Sequence, residues 1–566
     1  MTTIITPGHP VEVSEKPDPQ LQAFDLTVTT RAAVRVGDVQ RGVGEEFRIE
    51  DAAPDDVIEL EYANGVREWL RVDSLQERLP GLSRGTGDGT VLRVPAYWRP
   101  SQSRGVTDWV LEGLKVFNID PIGVVTEGVT SELAKKTAEH FESKLKPGPG
   151  LYMADAGLNL QGPIQPGDLT VIDKPYLLLL HGTFSTTAAS FGSMCRTDEW
   201  EALLRHYDGN VLALEHRTLS ESPLDNALYA AQRLPEGATL HLLSHSRGGL
   251  VGELLCRGRV PEEAQAAMRR EEDRKKLSAL SNVLGDKRLK IERFVRVACP
   301  ARGTILVSQR LDLYLSIILN LISNIPILTD NLIYTFSKAT ILTLIKQRAD
   351  PKDLPGLEAM MPDSPLIRFL NDPKFKVNTD LAIVAGDVEG KGLLGHLGVL
   401  ATDLFYRQDH DLVVNSDSMF KGLEREKGAY YAFEKGAGVN HFNYFANPSS
   451  RQRIQRWLMA KAGELPEGFK RLEGEPVSER VRGILTPKDP SVPVVFVIPD
   501  LMTSQLYHDR KLVWLGVDGL ADGAFEHLEL DGRRGKDALA VGDVIPGGYE
   551  KLIASLDKRF EVVIFP

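Results

Sequence analysis

The sequence lacks the features of several common protein classes. Its 566 residues include only three cysteines, Cys195, Cys256 and Cys299, which lie far apart in sequence. This odd and sparse set excludes a disulfide framework, and no Cys or His spacing indicates a zinc site. We therefore expect a reducing compartment, the cytoplasm, and a protein that needs no metal or other cofactor.

Positive charge and long apolar runs are also scarce. The formal net charge is −11, which argues against nucleic acid as the main partner. The N-terminus lacks the basic start and apolar core of a secretory signal. The most apolar stretch, residues 313–328, is interrupted by polar residues and proline and is too short for a membrane-spanning helix. What remains is a globular protein whose length predicts several domains.

Changes in pattern along the chain predict where these domains lie. The run VIELEYANGVREWLRV, from Val57, predicts a hairpin with a tight type I′ turn at Asn64-Gly65. Segments rich in Pro, Gly and charge indicate linkers. We predict disorder over 1–20, a β-rich accessory domain over 21–105, a helical connector over 106–165, a catalytic domain over 166–462, a linker over 463–491 and a partial second unit over 492–566.

The predicted catalytic domain alternates between short apolar runs and helical segments. Runs of this kind are typical of parallel strands that helices cover on both faces. We therefore predict an α/β fold with a doubly wound, mostly parallel sheet. The five runs are YLLLLHG (176–182), NVLALEHR (210–217), ATLHLLSHS (238–246), FVRVACPARG (294–303) and LAIVAGD (381–387).

A long insertion separates the last two of these runs. It contains about 75 residues, far more than the dozen or so that a minimal crossover requires, and it includes two apolar helical segments over 313–346. We interpret residues 304–375 as a helical lid that lines an acyl-chain pocket and makes transient contact with a membrane surface. A buried helical hairpin is the alternative.

The segment Ser244-His245-Ser246-Arg247-Gly248 follows the third apolar run and precedes a helical pattern. A hydrolase nucleophile stands on such a strand-to-helix turn, where its neighbours must be small. Ser244 and Gly248 meet this condition, although the usual motif has glycine at both positions. We predict Ser246 as the nucleophile.

Acyl transfer also needs amide donors for the negative charge that develops on the carbonyl oxygen. One donor is the amide after the nucleophile, that of Arg247. The turn His181-Gly182-Thr183-Phe184 provides the other, and we favour the Thr183 amide over that of Phe184. We expect the side chains of His181, Phe184 and His245 to shape the substrate pocket.

The acid and the base should follow the nucleophile in that order. Asp411, in a D-L-V-V turn after the fifth run, is the favoured acid, and His441, in a loop before a C-terminal helix, is the favoured base. The alternatives are Asp387 and Asp409 for the acid, and His396 and His410 for the base.

Together, the HG turn, S-H-S-R-G-G, D-L-V-V and N-H-F resemble the α/β-hydrolase lipases and esterases over residues 170–462. ACPARGT (298–304) and AMMPDSPLIRFLN (359–371) resemble further motifs of that family. The resemblance implies Ser246 as nucleophile, Asp411 as acid and His441 as base. Departures from the family pattern are Ser244, Cys299-Pro300-Ala301 and Asn415.

The C-terminal segment resembles a different branch of this fold. VFVIPDLMTSQLYHDRKLVW and GGYEKLIASLDKRFEVVIFP are similar to the opening of lecithin–cholesterol acyltransferase-like hydrolases. The resemblance implies that residues 492–566 are the first part of a second hydrolase-like domain, which would continue beyond residue 566. Asp500 and Thr503 replace glycines of that motif, and the segment has no nucleophile of its own.

These residues predict a serine ester hydrolase of the carboxylesterase or lipase type. The same residues would serve a thioesterase, an amidase or an acyltransferase. A third possibility is a catalytically silent hydrolase fold that recruits partners within a larger protein. The two apolar segments within 304–375 are the feature that favours lipid esters.

Overall fold

A computed structural model gives the fold of the chain. It describes residues 1–14, 16–36, 45–78, 83–86, 89–98, 109–121, 130–265, 268–309, 311–323, 332–372, 374–388, 397, 411–414, 416–436, 440–461, 464–472, 494–497, 504–508, 511–512, 540–544 and 561–564. These residues fall into two compact units, one up to Arg471 and one beyond it.

Two small sheets form the N-terminal part of the first unit. One has the strand order β4-β1-β8-β7, and the other has the order β2-β3-β10-β5-β6 with β9 paired to β10. The strands are β1 Thr2–Pro7, β2 His9–Pro10, β3 Leu26–Arg35, β4 Glu46–Ala52, β5 Val57–Tyr62, β6 Arg67–Arg71, β7 Ser83–Thr86, β8 Gly89–Arg93, β9 Tyr97–Trp98 and β10 Trp109–Pro121. The helices are α1 Pro19–Gln22, α2 Val72–Arg78 and α3 Thr130–Ser143.

The predicted hairpin is confirmed, but its turn differs from the prediction. Strands β5 and β6 pair antiparallel. The Gly65 amide donates to the Tyr62 carbonyl at 2.8 Å, and the Tyr62 amide donates to the Val66 carbonyl at 2.9 Å, which closes a three-residue loop. Gly65 has a φ of 83° and Asn64 does not have a positive φ. A type I′ turn needs a positive φ at both central residues, so this hairpin uses the longer loop.

Two predicted boundaries in this region are wrong. Residues 1–20 are not disordered, because β1 pairs with β4 and β8 and buries Ile4 and Ile5. The predicted helical connector over 106–165 begins with β10, which lies inside a sheet between β3 and β5. In both cases the pairing partners are distant in sequence, so local composition gave no signal for them.

The second part of the first unit is built on a nine-stranded sheet with the order β12-β11-β14-β13-β15-β16-β18-β20-β21. From β14 to β20 the neighbouring strands are parallel, whereas β11 is antiparallel to β12 and β14. Its nine strands are β11 Gly150–Ala154, β12 Leu160–Gln161, β13 Tyr176–Leu180, β14 Val211–Glu215, β15 Thr239–His245, β16 Lys290–Val297, β18 Asp380–Val388, β20 Ala429–Gly436 and β21 Lys470–Leu472. Strands β17 Lys376–Val377 and β19 Glu424–Arg425 pair with each other in a separate two-stranded sheet.

Helices connect these strands, as the α/β prediction requires. They are α4 Thr187–Phe191, α5 Asp198–His206, α6 Pro223–Arg233, α7 Gly248–Cys256, α8 Glu262–Gln265, α9 Glu271–Lys287, α10 Ile305–Gln309, α11 Leu311–Ser323, α12 Leu332–Lys346, α13 Pro355–Glu358, α14 Pro365–Leu370, α15 Ser416–Met419 and α16 Pro448–Met459. Each of the five predicted apolar runs overlaps a strand of the sheet, and Leu177, Leu179, Leu243 and Val295 are fully buried in its core.

The sheet extends beyond the predicted catalytic domain at both ends. Strand β11 begins at Gly150, before the predicted start at 166, and β21 lies in the predicted linker over 463–491. Both strands are short, and neither carries a long apolar run, so the sequence did not reveal them.

Strands also form where the C-terminal segment was predicted to begin a second unit. β22 (Val494–Val497) and β26 (Glu561–Ile564) pair in parallel, and β23 (Ser504–His508) pairs antiparallel with β24 (Lys511–Leu512) and β25 (Ala540–Val544). The replaced glycine positions Asp500 and Thr503 lie outside the described residues. Among the helices of the described part of the chain, none is long and apolar enough to cross a membrane.

Candidate active site

Ser246 stands on a sharp turn between β15 and α7. Its φ of 51° is in the left-handed region, which a serine adopts only where the surrounding structure enforces it. A Cβ atom at Gly248 would lie 2.3 Å from the Leu180 carbonyl oxygen, so no larger residue fits there. Ser244 is fully buried, which shows that a serine is small enough for the position where the motif usually has glycine. The turn thus has the geometry of a nucleophile elbow.

The structure brings the three predicted catalytic side chains together. His441 Nε2 lies 2.9 Å from Ser246 Oγ, and His441 Nδ1 lies 2.8 Å from Asp411 Oδ2. The exposed fractions of Ser246, His441 and Asp411 are 5%, 2% and 0%. Because a carboxylate only accepts hydrogen bonds, Nδ1 carries the imidazole proton and Nε2 is left to accept the serine proton.

Asp411 is fixed by its own turn. Its Oδ1 accepts the amides of Val413 at 3.2 Å and Val414 at 2.8 Å, and its backbone carbonyl accepts the His441 amide at 3.0 Å. The Tyr444 hydroxyl lies 3.4 Å from Oδ2, and burial raises its pKa well above the usual range, so it remains a donor. These bonds fix the position of the carboxylate and aim Oδ2 at the imidazole.

Of the alternative acid and base candidates, the structure describes Asp387 alone. Asp387 lies in β18, and the imidazole is paired with Asp411 instead. Asp409, His396 and His410 lie outside the described residues.

The turn after β13 lies directly against the nucleophile. A Cβ atom at Gly182 would be 2.8 Å from Ser246 Cβ. The Phe184 amide donates to the Thr218 hydroxyl at 3.3 Å and is therefore occupied. Among the described residues, the amides of Thr183 and Arg247 donate to no protein group. This arrangement favours Thr183 and Arg247 over Phe184 as oxyanion donors.

A buried glutamate from α3 supports this turn indirectly, although no motif in the sequence indicates such a role. The Glu142 carboxylate accepts the amides of Thr218 at 2.6 Å, Leu219 at 2.9 Å and Ser220 at 3.1 Å. Because Thr218 in turn holds the Phe184 amide, α3 supports the backbone on which Thr183 lies.

We expect Glu142→Gln to lower kcat about tenfold to a hundredfold, because small displacements of donor groups at a reacting centre have effects of this size. The amide side chain loses the negative charge and one of its two acceptor oxygens, so at least one loop amide loses its partner. Glu139→Gln, on the same helix but with a side chain that is 43% exposed, is the matched control. Kinetics with p-nitrophenyl butyrate on both folded variants measure the effect, and full kcat in Glu142→Gln would refute it.

The contacts of His245 differ from the predicted role of this side chain in shaping the substrate pocket. Its Nε2 lies 2.7 Å from the His441 carbonyl oxygen, and its Nδ1 lies 3.2 Å from the Ser190 hydroxyl. Burial lowers the pKa of His245 to about 3, so the ring is neutral and donates to the carbonyl through Nε2. The residue that precedes the nucleophile therefore holds the backbone of the base, and both of its nitrogens are used by the protein.

His181 is also enclosed by protein groups. Its ring stacks on that of His216 with the centroids 4.0 Å apart, and its Nε2 accepts the His216 amide at 3.2 Å. Burial lowers the pKa values of both histidines. His181 thus supports the end of β14 next to the turn, and its contacts differ from the predicted substrate-binding role.

The side chain of Arg247 has a structural task besides the proposed role of its amide. The guanidinium is fully buried and donates to the Asn226 side chain at 3.0 Å, the Glu221 carbonyl at 2.6 Å and the Gly356 carbonyl at 3.3 Å. Burial lowers its pKa to about 10. These contacts fasten the start of α7 to α6 and to α13.

Buried neutral histidines make the fold sensitive to acid. Burial lowers the pKa of His241 to about 3, as it does for His245, and it also lowers those of His181 and His216. In the unfolded chain they bind protons below about pH 6.5, so stability falls with decreasing pH, by about 1.4 kcal/mol per pH unit for each histidine.

We therefore expect the free energy of unfolding to fall by several kcal/mol between pH 7.5 and pH 5.5, as measured by urea denaturation at each pH. His241→Phe should reduce this slope, whereas replacement of the exposed His9 by glutamine should leave it unchanged. A free energy of unfolding that stays constant over this interval would contradict the account.

The fold and the arrangement of these side chains define an α/β-hydrolase-like protein. A sequence profile described as "Domain of unknown function (DUF7379)" matches residues 157–271 and 274–459, which is more than half of the chain. The chain belongs to this family. No curated protein matches it significantly in sequence.

Several solved hydrolase structures are similar to the chain at low sequence identity. Lipase BlEst2 from Bacillus licheniformis in its propeptide form is 14% identical, with 54% of this chain and 54% of that chain covered and a TM-score of 0.29. Lipase 1 from Pelosinus fermentans is 12% identical, with 51% and 100% covered and a TM-score of 0.35. Phospholipase PlaB from Legionella pneumophila is 12% identical, with 51% and 60% covered and a TM-score of 0.29.

Proposed function

We propose that the protein is a serine hydrolase that cleaves carboxylic esters through an acyl-enzyme intermediate on Ser246. The observation that carries the proposal is the hydrogen-bonded row of Ser246, His441 and Asp411, set on a serine with a left-handed backbone. A buried row of this kind supports nucleophilic catalysis, since it supplies a base for the serine proton and a carboxylate for the resulting imidazolium.

In the first half of the reaction, Ser246 Oγ attacks the ester carbonyl while its proton passes to His441 Nε2. Asp411 keeps the imidazole in the required tautomer and stabilises its charged form. The imidazolium then gives the proton to the leaving alcohol, and the acyl group stays on Ser246. In the second half, His441 takes a proton from water, which attacks the acyl-enzyme and releases the acid.

The amides of Thr183 and Arg247 are the proposed donors to the tetrahedral oxyanion. Both flank Ser246, and neither donates to another protein group among the described residues. Preorganised donors are worth about 10²- to 10³-fold in kcat for each one removed in enzymes of this type. The bonds from Glu142 and Thr218 keep the upstream donor in place.

Apolar side chains near the oxyanion turn support an acyl group as the recognised part of the substrate. Thr183 Oγ1 lies 3.7 Å from Met360 Sδ, and the ring of Phe184 lies 6.2 Å from that of Phe336 in α12. Such surroundings favour hydrocarbon over charged groups. The proposed substrates are therefore esters with an apolar acyl chain, including those of lipids.

The three cysteines support a reducing compartment as the site of this activity. Cys195, Cys256 and Cys299 are all unpaired, and burial raises the pKa values of their thiols. A cytoplasmic location is consistent with thiols that stay protonated and unreactive.

The proposed reaction is tested with p-nitrophenyl esters from acetate to laurate, together with a thioester and an anilide of one acyl chain. We expect the rate of ester hydrolysis to increase with the length of the acyl chain, starting from acetate. A faster thioester reaction would make the protein a thioesterase, and transfer to an added alcohol would make it an acyltransferase. A folded protein that turns over none of them would contradict the proposal and favour a non-catalytic interaction module.

A further inference from the structure

The two apolar helices of the insertion, α11 and α12, are here called the cap helices. Every residue of α11 from 313 to 322 is buried. In α12, Leu332 is exposed at its start, but the apolar residues from Phe336 to Ile345 are buried. Within the described residues, the cap helices therefore present no broad apolar face to solvent.

The element that covers α11 is β6, the edge strand of the sheet with the order β2-β3-β10-β5-β6, here called the clamp sheet. Asn320 accepts the Arg67 amide at 3.0 Å and donates to the Arg67 carbonyl. Ser316, one turn earlier, accepts the Trp69 amide at 3.0 Å and lies 3.3 Å from the Trp69 carbonyl oxygen. The two side chains lie on one face of the helix. They bind the backbone amides and carbonyls of β6 that a neighbouring strand would bind at an open sheet edge.

Further contacts of charged side chains lie around this contact between α11 and β6. Arg78 pairs with Asp312 at the start of α11. At the end of α12, Arg71 donates to the Lys346 carbonyl at 2.7 Å, and Lys346 Nζ lies 3.1 Å from the Asp55 carboxylate. Each partly exposed pair contributes little alone. Arg71 belongs to β6, Asp55 precedes β5, and Arg78 ends α2 directly after β6. Because these contacts hold both helices to the clamp sheet and its flanking segments, they oppose any rotation of the cap away from it.

The cap helices reach from the clamp sheet to the proposed oxyanion turn. Phe24, which precedes β3, packs on Phe336 of α12 with the ring centroids 6.3 Å apart, and Phe336 packs on Phe184 at 6.2 Å. On α11, the Tyr314 hydroxyl has the Thr183 side chain as a polar neighbour. Movement of the cap would therefore disturb the turn that supplies the Thr183 amide.

We propose that the clamp sheet keeps the cap helices closed over the active site, so that the protein acts on single dissolved acyl esters and not on aggregated lipid. Adsorption to a lipid surface would require the cap to turn its apolar face outward, which breaks the bonds of Ser316 and Asn320 to β6. Access of a dissolved molecule needs only a local opening. The inference rests on the proposed ester hydrolysis and replaces the sequence-based expectation that the cap touches a membrane surface.

The first test uses the unmodified protein and tributyrin at concentrations below and above its solubility limit. We expect the rate to follow a single saturation curve with no jump where droplets appear. A several-fold rise at that point would overturn the proposal, and this test does not depend on the folding of any variant.

The second test compares Ser316→Ala/Asn320→Ala with Ser337→Ala. Ser337 is a matched position on α12, with a buried hydroxyl that has no hydrogen-bond partner among the residues described. Hydrogen–deuterium exchange of residues 311–323 should become about tenfold faster in the double variant, because local opening loses the resistance of bonds of this kind. The control should exchange like the unmodified protein. The double variant should also gain activity on emulsified tributyrin.

If hydrogen–deuterium exchange in the double variant were unchanged, the proposal that the clamp sheet holds the cap helices closed would be wrong. Failure of the proposed function would look different. A fluorophosphonate that leaves Ser246 unmodified in the folded protein would refute ester hydrolysis, while the exchange experiment would still report on whether the clamp holds the cap.

Discussion

Replacing Ser246 with alanine is expected to lower kcat for p-nitrophenyl butyrate by about 10⁴- to 10⁶-fold, as loss of the nucleophile does in other triad hydrolases. Without Oγ, no acyl-enzyme forms, and His441 has no proton to accept from residue 246. The change removes one hydroxyl from a buried turn, so the fold should remain intact.

Ser244→Ala is the matched control for this experiment. Ser244 lies two residues earlier on the same strand end and is also buried, and its hydroxyl has no hydrogen-bond partner in the part of the chain that the structure describes. We expect its kcat to stay within a few-fold of the unmodified protein. If Ser246→Ala kept more than a small fraction of the activity, or if both variants lost it equally, the assignment of the nucleophile would be wrong.

Replacing Glu253 with glutamine is expected to reduce the free energy of unfolding by about 3–5 kcal/mol, because it leaves buried charge without a partner. Glu253 lies on α7 and is fully buried. Glu253 pairs with Arg296 from β16. Both of its carboxylate oxygens also lie 3.0 Å from Arg425 Nη2. Glutamine has nearly the same shape, so the loss would be that of the negative charge between two guanidinium groups.

This cluster also connects the helix behind the nucleophile to the segment after the acid. Arg296 donates to the Met419 carbonyl at 2.8 Å, and the Leu423 amide donates to Glu253 at 3.3 Å. Urea denaturation measures the effect, with Glu271→Gln on the surface of α9 as control, since its partner Lys275 is also exposed. A Glu253→Gln variant as stable as the control would show that the cluster does not hold this part of the core.

Much of the central sheet could be predicted from the sequence because parallel strands buried on both faces are continuous apolar runs. Runs such as YLLLLHG therefore located the strands. The three side chains that the fold brings together could be predicted from the small residues around Ser246 and from the order of Asp411 and His441 after it, because a strand-to-helix turn constrains its neighbours locally.

Other features depend on contacts between residues far apart in the chain. Glu142 had the appearance of an ordinary helix residue, and only the fold brings it to the amides of residues 218–220. Asn320 appeared to interrupt an apolar helix, whereas it holds the edge of β6. The strand at residues 2–7 and the partners of His245 were missed for the same reason, since neither composition nor spacing encodes a distant partner.

The most direct test of the central claim is labelling of the unmodified protein with a fluorophosphonate, followed by mass spectrometry of the modified peptide. The reagent phosphonylates a serine whose hydroxyl is activated by a base within hydrogen-bonding distance, as Ser246 is by His441 at 2.9 Å. We predict one adduct, on Ser246, and none on the Ser246→Ala variant. A folded protein that stays unlabelled, or that carries the adduct on another residue, would contradict the account.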